Sequence, residues 1–202
     1  PLKETLQHHW REVLIAIGAK VVETSTFFLY ATFTISYMMD HGFARSTILN
    51  IVLVCALIAF PAMLFFGHLS DRIGRKKVFI GGSVAFLVWI FPYFWLLDQK
   101  SVWAAGLAIA VGFGVIWASY GAMIGTLLAE AFPPAIRYTG MSLGYQIGAA
   151  LVGGPMPLIA TALIAYFSGS FVPVVLFLAA CAVVSIISVA VARDRSGQPL
   201  DD

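Results

Sequence analysis

Hydrophobic residues in this chain gather into six long runs separated by short polar breaks. The runs extend over about Val13 to Met39, Thr47 to Phe66, Val78 to Leu97, Val102 to Leu128, Tyr138 to Tyr166 and Phe171 to Ala192. A helix needs roughly 20 predominantly apolar residues to cross the hydrocarbon core of a bilayer. The pattern therefore predicts an all-α integral membrane protein with six transmembrane helices. The first run is longer than a crossing requires, which predicts a helix that tilts or protrudes. Residues 1–12 read as a polar cytoplasmic approach, 13–192 as the six-helix bundle and 193–202 as a polar cytoplasmic tail.

Composition agrees with the pattern. The chain is 60% hydrophobic and only 11% charged, whereas soluble domains carry roughly a quarter charged residues. Mean hydropathy is +0.92. A net charge of +2 says little by itself, because in membranes the placement of charge counts for more than its sum. Basic residues cluster at the ends of the apolar runs, so no nucleic-acid surface is expected. Cys55 and Cys181 both fall inside apolar runs and predict neither a disulfide framework nor a metal site. The chain begins with Pro1 rather than Met, so it is expected to be a piece of something longer.

Six spans put both termini on one side. On that side lie Lys3, Arg11, Arg72, Arg75, Lys76, Lys77, Arg137, Arg193 and Arg195; opposite them lie only Arg45 and Lys100. The excess of basic residues predicts that both termini face the cytoplasm.

The longest charged break, residues 67 to 77, reads Gly-His-Leu-Ser-Asp-Arg-Ile-Gly-Arg-Lys-Lys. Gly67 and Gly74 permit a sharp turn, and Asp71 is placed to cap the helix that follows. The order G-x-L-S-D-R-x-G-R-K resembles the loop motif of the major facilitator superfamily of transporters. That resemblance implies a conformational latch loop built from Gly67, Asp71, Arg72, Gly74, Arg75 and Lys76.

A second stretch narrows the resemblance. Glu130-Ala131-Phe132-Pro133-Pro134-Ala135-Ile136-Arg137-Tyr138-Thr139-Gly140 runs on into Ser142-Leu143-Gly144-Tyr145. It is similar to the E-x-F-P-x-x-x-R-x-T-G-x-S-x-G-Y segment of the metabolite:proton symporters, the branch holding proline/betaine, α-ketoglutarate, citrate and shikimate permeases. The similarity covers nearly the whole chain but only the C-terminal half of a twelve-helix architecture, itself two inverted three-helix repeats. By implication the partners are a small-molecule metabolite, protons as the coupling ion, the lipid bilayer, and a missing N-terminal six-helix half or a second copy. No cofactor is implied, and the location is a bacterial-type plasma (inner) membrane. Within the second motif, Glu130 and Arg137 are spaced to pair across the turn at Pro133.

The first run carries the strongest candidate chemistry. Lys20 and Glu23 lie three residues apart on one helical face. Glu23 falls near mid-bilayer, where ionisable residues line cavities, relay protons or neutralise one another. The expectation is that Glu23 carries or gates a proton and that Lys20 attracts an anionic group. Tyr30, Trp117, Tyr120, Tyr145 and Gln146 are candidates to line the same substrate and proton pathway. Small residues at Gly106, Ala110, Gly114 and Ala118, and again at Gly140, Gly144 and Gly148, predict close helix packing. Gly153-Gly154-Pro155 interrupts the fifth run and predicts a hinge.

Enzymatic function is not expected. Gly140-Met141-Ser142-Leu143-Gly144 fits the nucleophile-elbow spacing of serine hydrolases, but it sits inside a membrane run rather than between a strand and a helix. Metalloprotease and phosphate-loop motifs are absent from the sequence. The expected function is therefore a proton-coupled symporter of a small organic acid or zwitterion, working by alternating access. The alternative is a stand-alone six-helix protein acting as a homodimer or a structural subunit.

Overall fold

A computed structural model describes residues 2–192 of the chain. The expected tail from Arg193 onward, with Arg193 and Arg195, lies outside the described residues. A short helix, Leu2–His8, leads into six spans: Trp10–Asp40, Arg45–Ile73, Arg75–Leu97, Val102–Ala131, Arg137–Tyr166 and Val172–Val191. All six are long and apolar enough to cross a membrane.

The spans differ sharply in where their apolar surface goes. In the first, 72% of the most apolar window is buried, against 17% in the second and 22% in the fifth. The first span is thus the centre of the bundle. The second and fifth leave long apolar faces uncovered, with Leu57, Phe60 and Leu64 on one and Leu151 and Leu158 on the other.

Contacts between spans follow a rule. The first packs on the fifth and sixth, the fourth packs on the second and third, and the third and sixth pack on each other. Exchanging first with fourth, second with fifth and third with sixth leaves this pattern unchanged. That is the arrangement of two three-helix repeats of opposite direction, which the sequence resemblance implied.

Small residues and one serine bring the central contacts close. A Cβ at Gly148 would lie 2.7 Å from Lys20 Cβ, and one at Gly144 would run into Ala16, so the glycines of the fifth span seat it on the first. From the sixth span, Ser185 donates its hydroxyl to the Gly18 carbonyl (2.6 Å) and accepts the Val22 N–H (2.9 Å). In a regular helix those two backbone groups would bond to each other. Ser185 bonds to both and stitches the sixth span onto the first.

The break at residues 67 to 77 is not the loop that the sequence predicts. Helix continues through Gly67, Ser70, Asp71 and Arg72 to Ile73, and a new helix starts at Arg75. Gly74 alone turns the chain, with φ 99°, a left-handed conformation open to glycine at little cost. Polarity marks the membrane surface here rather than the end of the helix, because nothing between His68 and Ile73 opposes helical backbone. Asp71 does not cap the next helix, which has no side-chain cap. It sits one turn before Arg75, 3.9 Å from its guanidinium.

Candidate functional site

Lys20 and Glu23 form an ion pair in the middle of the first span, buried to 2% and 8% relative exposure. A charge alone at that depth would be strongly disfavoured, and the partner on the same helical face is what permits both. Thr24 donates its hydroxyl to Glu23 Oε2 (3.0 Å). The Lys20 ammonium also lies 3.6 Å from the centre of the Tyr145 ring, so it is held by a carboxylate on one side and an aromatic face on the other. Tyr145 itself is 43% exposed, and it is the only member of this group that reaches the outer surface of the bundle. Trp117 donates its indole N–H to the Glu23 backbone carbonyl (3.1 Å).

Two further expected pathway residues differ in their exposure. Gln146, next to Tyr145, is on the exposed side of the fifth span. Tyr30 is fully buried; it stacks edge-on against Tyr93 and leans on Phe113. Its hydroxyl is the single buried side-chain polar atom among the described residues that has no hydrogen-bonding partner. Beside it lies Gly112, where a Cβ would come within 2.7 Å of that hydroxyl.

The neighbourhood of Tyr30 is locally widened on both sides. The first span makes π-type turns over Leu29–Phe33 and the fourth over Ala110–Trp117. The wide turn in the first span lets Thr34 address the Leu29 carbonyl with both its N–H and its hydroxyl (2.7 Å for the latter). Such bulges are frequent at functional sites.

From Glu23 outward, polar side chains recur on one face of the first span at 26, 30, 34, 37 and 41. Partners on other spans meet most of them. Tyr120 of the fourth span donates to Thr26 (2.9 Å). Tyr93 of the third lies 2.5 Å from the Thr34 hydroxyl. Tyr37 donates to Asp98 (2.6 Å), and His41 Nε2 is 3.4 Å from the same carboxylate oxygen. Thr26, Tyr30, Thr34, Tyr93 and Tyr120 are fully buried. Sequence reasoning singled out Glu23, Tyr30 and Tyr120 but missed Thr34, Tyr37, Tyr93 and Asp98. The spacing along the first span was a readable signal; the partners on the third span were not.

At the terminus-side end, two acidic residues meet at Arg75, one of the residues expected to form a latch. Its guanidinium pairs with Glu130 at the end of the fourth span and approaches Asp71 of the second. This corrects the expected Glu130–Arg137 pair: Arg137 instead donates to the Phe132 carbonyl across the turn at Pro133 (3.4 Å). The third span presents Arg75 directly to Glu130, whereas the turn holds Arg137 against its own backbone. Lys76 donates to the carbonyls of Ala190 (2.7 Å) and Ala192 (2.9 Å), satisfying acceptors left open at the end of the sixth span. A cavity of about 220 Å³, bordered by Arg11, Arg75, Lys76 and Glu130, runs inward as far as Ala19. The Gly153-Gly154-Pro155 interruption is present as π-type turns over Ala149–Gly153 and a turn at Gly154 and Pro155 that keeps near-helical backbone, with regular helix resuming at Met156. Gly153 abuts Thr24 and Phe28 of the first span, one turn beyond Glu23.

The family model described as Major Facilitator Superfamily matches residues 15–201. Among curated relatives, the shikimate transporter of Escherichia coli (strain K12) is 29% identical over 196 residues, covering 96% of this chain and 44% of that protein. The glycine betaine/proline/ectoine/pipecolic acid transporter of Dickeya dadantii is 28% identical over 202 residues, covering 98% of this chain and 39% of the relative. The proline/betaine transporter of Escherichia coli (strain K12) is 28% identical over 207 residues, with 98% and 39% covered. The chain therefore spans less than half the length of the curated relatives it matches. It belongs to the major facilitator superfamily, as a multi-pass membrane protein with the fold of half such a transporter, and the family and these relatives are transporters rather than enzymes.

Proposed function

We propose that the protein to which this chain contributes is a proton-coupled symporter of a small organic acid or zwitterion. It works by alternating access, with the six spans described here rocking against an N-terminal six-helix half or a second copy. Glu23 carries or gates the coupling proton, and Lys20 draws in the anionic group of the substrate. The observation that carries this is the buried Lys20–Glu23 pair with the half-exposed Tyr145 ring over the ammonium. A substrate carboxylate arriving past Tyr145 competes with Glu23 for Lys20. A Glu23 that is protonated gives Lys20 up without leaving a second charge buried.

The uncovered apolar faces of the second and fifth spans are where the other half would sit. Both termini and the Arg75–Glu130 pair face the cytoplasm of a bacterial-type inner membrane, in keeping with the excess of basic residues on that side. Arg75, Asp71 and Glu130 tie the second, third and fourth spans together as a latch for one state, and the interruption at Gly153-Gly154-Pro155 supplies a hinge beside the charged pair. Protons are the coupling ion and no other cofactor is required.

The test uses the native full-length protein in proteoliposomes, supplied in turn with radiolabelled shikimate, L-proline and glycine betaine. An imposed acid-outside gradient should drive accumulation of one of them. Glu23→Gln should abolish that accumulation while substrate exchange, which needs no net proton movement, continues. Driven uptake that survives Glu23→Gln would sink the proposal. The intact mass of the native gene product separates the symporter from a stand-alone six-helix protein: about twice 21.8 kDa is expected if a second half of similar span count is fused to this one.

A further inference from the structure

The hydroxyl file on the first span has no role in the pairing of Lys20 with Glu23, and it leads away from that pair toward the face opposite the termini. We infer that this file is the route by which the coupling proton reaches Glu23, with Tyr30 as its central relay. The inference rests on Glu23 being the proton site proposed above.

Three observations support it. First, the polar groups follow one another along the span: His41 and Asp98 at the half-exposed mouth, Tyr37, the Thr34–Tyr93 pair, Tyr30, the Thr26–Tyr120 pair, then Glu23 with Thr24 and Lys20. The first-span residues from 23 to 41 cover about 27 Å of helix axis at 1.5 Å per residue. Second, the hydroxyls come from three different spans and converge in the protein interior rather than on a solvated face. Buried side chains used for packing alone have no reason to carry so many oxygens, since each must be satisfied. Third, the one group left without a partner among the described residues, Tyr30, stands between the two threonine–tyrosine pairs, its hydroxyl seated against Gly112, where a Cβ would lie within 2.7 Å of it. A hydroxyl buried without a partner is the costly exception among buried polar groups, and a relay role accounts for its presence.

Tyrosine and threonine hydroxyls both accept and donate, so each can take a proton on its oxygen lone pair and release its own hydrogen to the next oxygen. The Thr26 and Thr34 hydroxyls, which now donate to the Val22 and Leu29 carbonyls, turn to do so. A proton taken up at Asp98 and His41 from the outer face passes inward hydroxyl by hydroxyl. Only O–H bonds, and an N–H bond where His41 takes part, form and break, and one proton is transferred in net. It ends on the Glu23 carboxylate as the neutral acid, while the Lys20 ammonium keeps its contact with the Tyr145 ring. The charged groups facing the file are Asp98 and, when protonated, His41 at one end and Glu23 with Lys20 at the other.

Tyr30→Phe removes the central oxygen and keeps the ring packed on Tyr93 and Phe113. In full-length protein in proteoliposomes, using whichever of shikimate, proline or glycine betaine the wild type accumulates, initial uptake driven by an acid-outside gradient should fall about tenfold or more. Substrate exchange should stay within about twofold of wild type, because exchange moves no net proton through the file. Tyr93→Phe should behave alike, which guards against a folding defect peculiar to one variant. Driven uptake unchanged in both variants, or exchange falling in parallel with it, overturns the file. Glu23→Gln is measured in the same membranes. If it abolishes driven uptake while both tyrosine variants retain it, the route is wrong and Glu23 stands; if it too retains driven uptake, the symport proposal itself fails.

Discussion

The first and fourth spans occupy equivalent places in the two repeats, yet they divide the labour unequally. Each is the hub of its packing pattern, and each carries a π-type stretch, Leu29–Phe33 in one and Ala110–Trp117 in the other. The stretches face each other where Tyr30 meets Gly112 and Phe113. The first span holds both membrane-buried charges and most of the hydroxyls. The fourth, acid-free until Glu130 at its end, lends only donors, Trp117 to the Glu23 carbonyl and Tyr120 to Thr26. The difference teaches that repeat symmetry fixes where a helix packs and leaves open what it carries. Concentrating ionisable groups on one hub lets a single pair neutralise itself; splitting them between hubs would leave each charge alone whenever the hubs separate.

The largest break in this comparison is to strip the first span of one charge. Glu23→Ala leaves the Lys20 ammonium buried without a carboxylate and should cost about 3–5 kcal/mol, whereas removing both charges with Lys20→Met and Glu23→Leu should recover much of it. Thermal unfolding of the purified full-length protein in detergent checks both. On the fourth span the sensitive position is steric. Gly112→Ala puts a methyl against the Tyr30 ring and hydroxyl and should destabilise by about 1–3 kcal/mol, while Gly106→Ala, which meets nothing within 4 Å, should be close to neutral. The same melts decide it.

A third variant tests the serine contact that only the first span receives. Ser185→Ala removes the cross-span bonds to the Gly18 carbonyl and the Val22 N–H and should cost about 1–2 kcal/mol, read as faster amide exchange at Val22 and a lower melting temperature. The smallest effect concerns the end of the fourth span. A double-mutant cycle between Arg75→Ala and Glu130→Ala should show coupling of about 1 kcal/mol, and one between Arg137→Ala and Glu130→Ala none. Coupling of Glu130 to Arg137 instead would restore the pairing that the sequence implied.

Much of the architecture was legible because a bilayer admits so few ways to bury backbone polar groups. Run lengths placed all six spans, and spacing alone put Lys20 beside Glu23. What escaped depended on neighbours distant in the chain. Nothing in the sequence around Ser185 says that it bonds to the backbone of a helix 163 residues away. Nor does the second motif reveal that Glu130 turns to Arg75, since Arg137 is nearer in sequence and equally charged. The stretch from Gly67 to Lys77 was misread as a loop because polarity, in a membrane chain, reports depth and not backbone shape.

That stretch has a mechanical consequence. With one residue, Gly74, as the joint between the second and third spans, the two meet at an elbow. The second arm is 29 residues long, or about 43 Å at 1.5 Å per residue. A swing of about 10° at the elbow would carry its far tip about 7–8 Å, by the same helical rise. The Arg75–Asp71 and Arg75–Glu130 contacts sit within a turn or so of that pivot, where leverage is smallest. Contacts there fix the angle of the elbow, and any change of that angle is felt most at the opposite end of the arm.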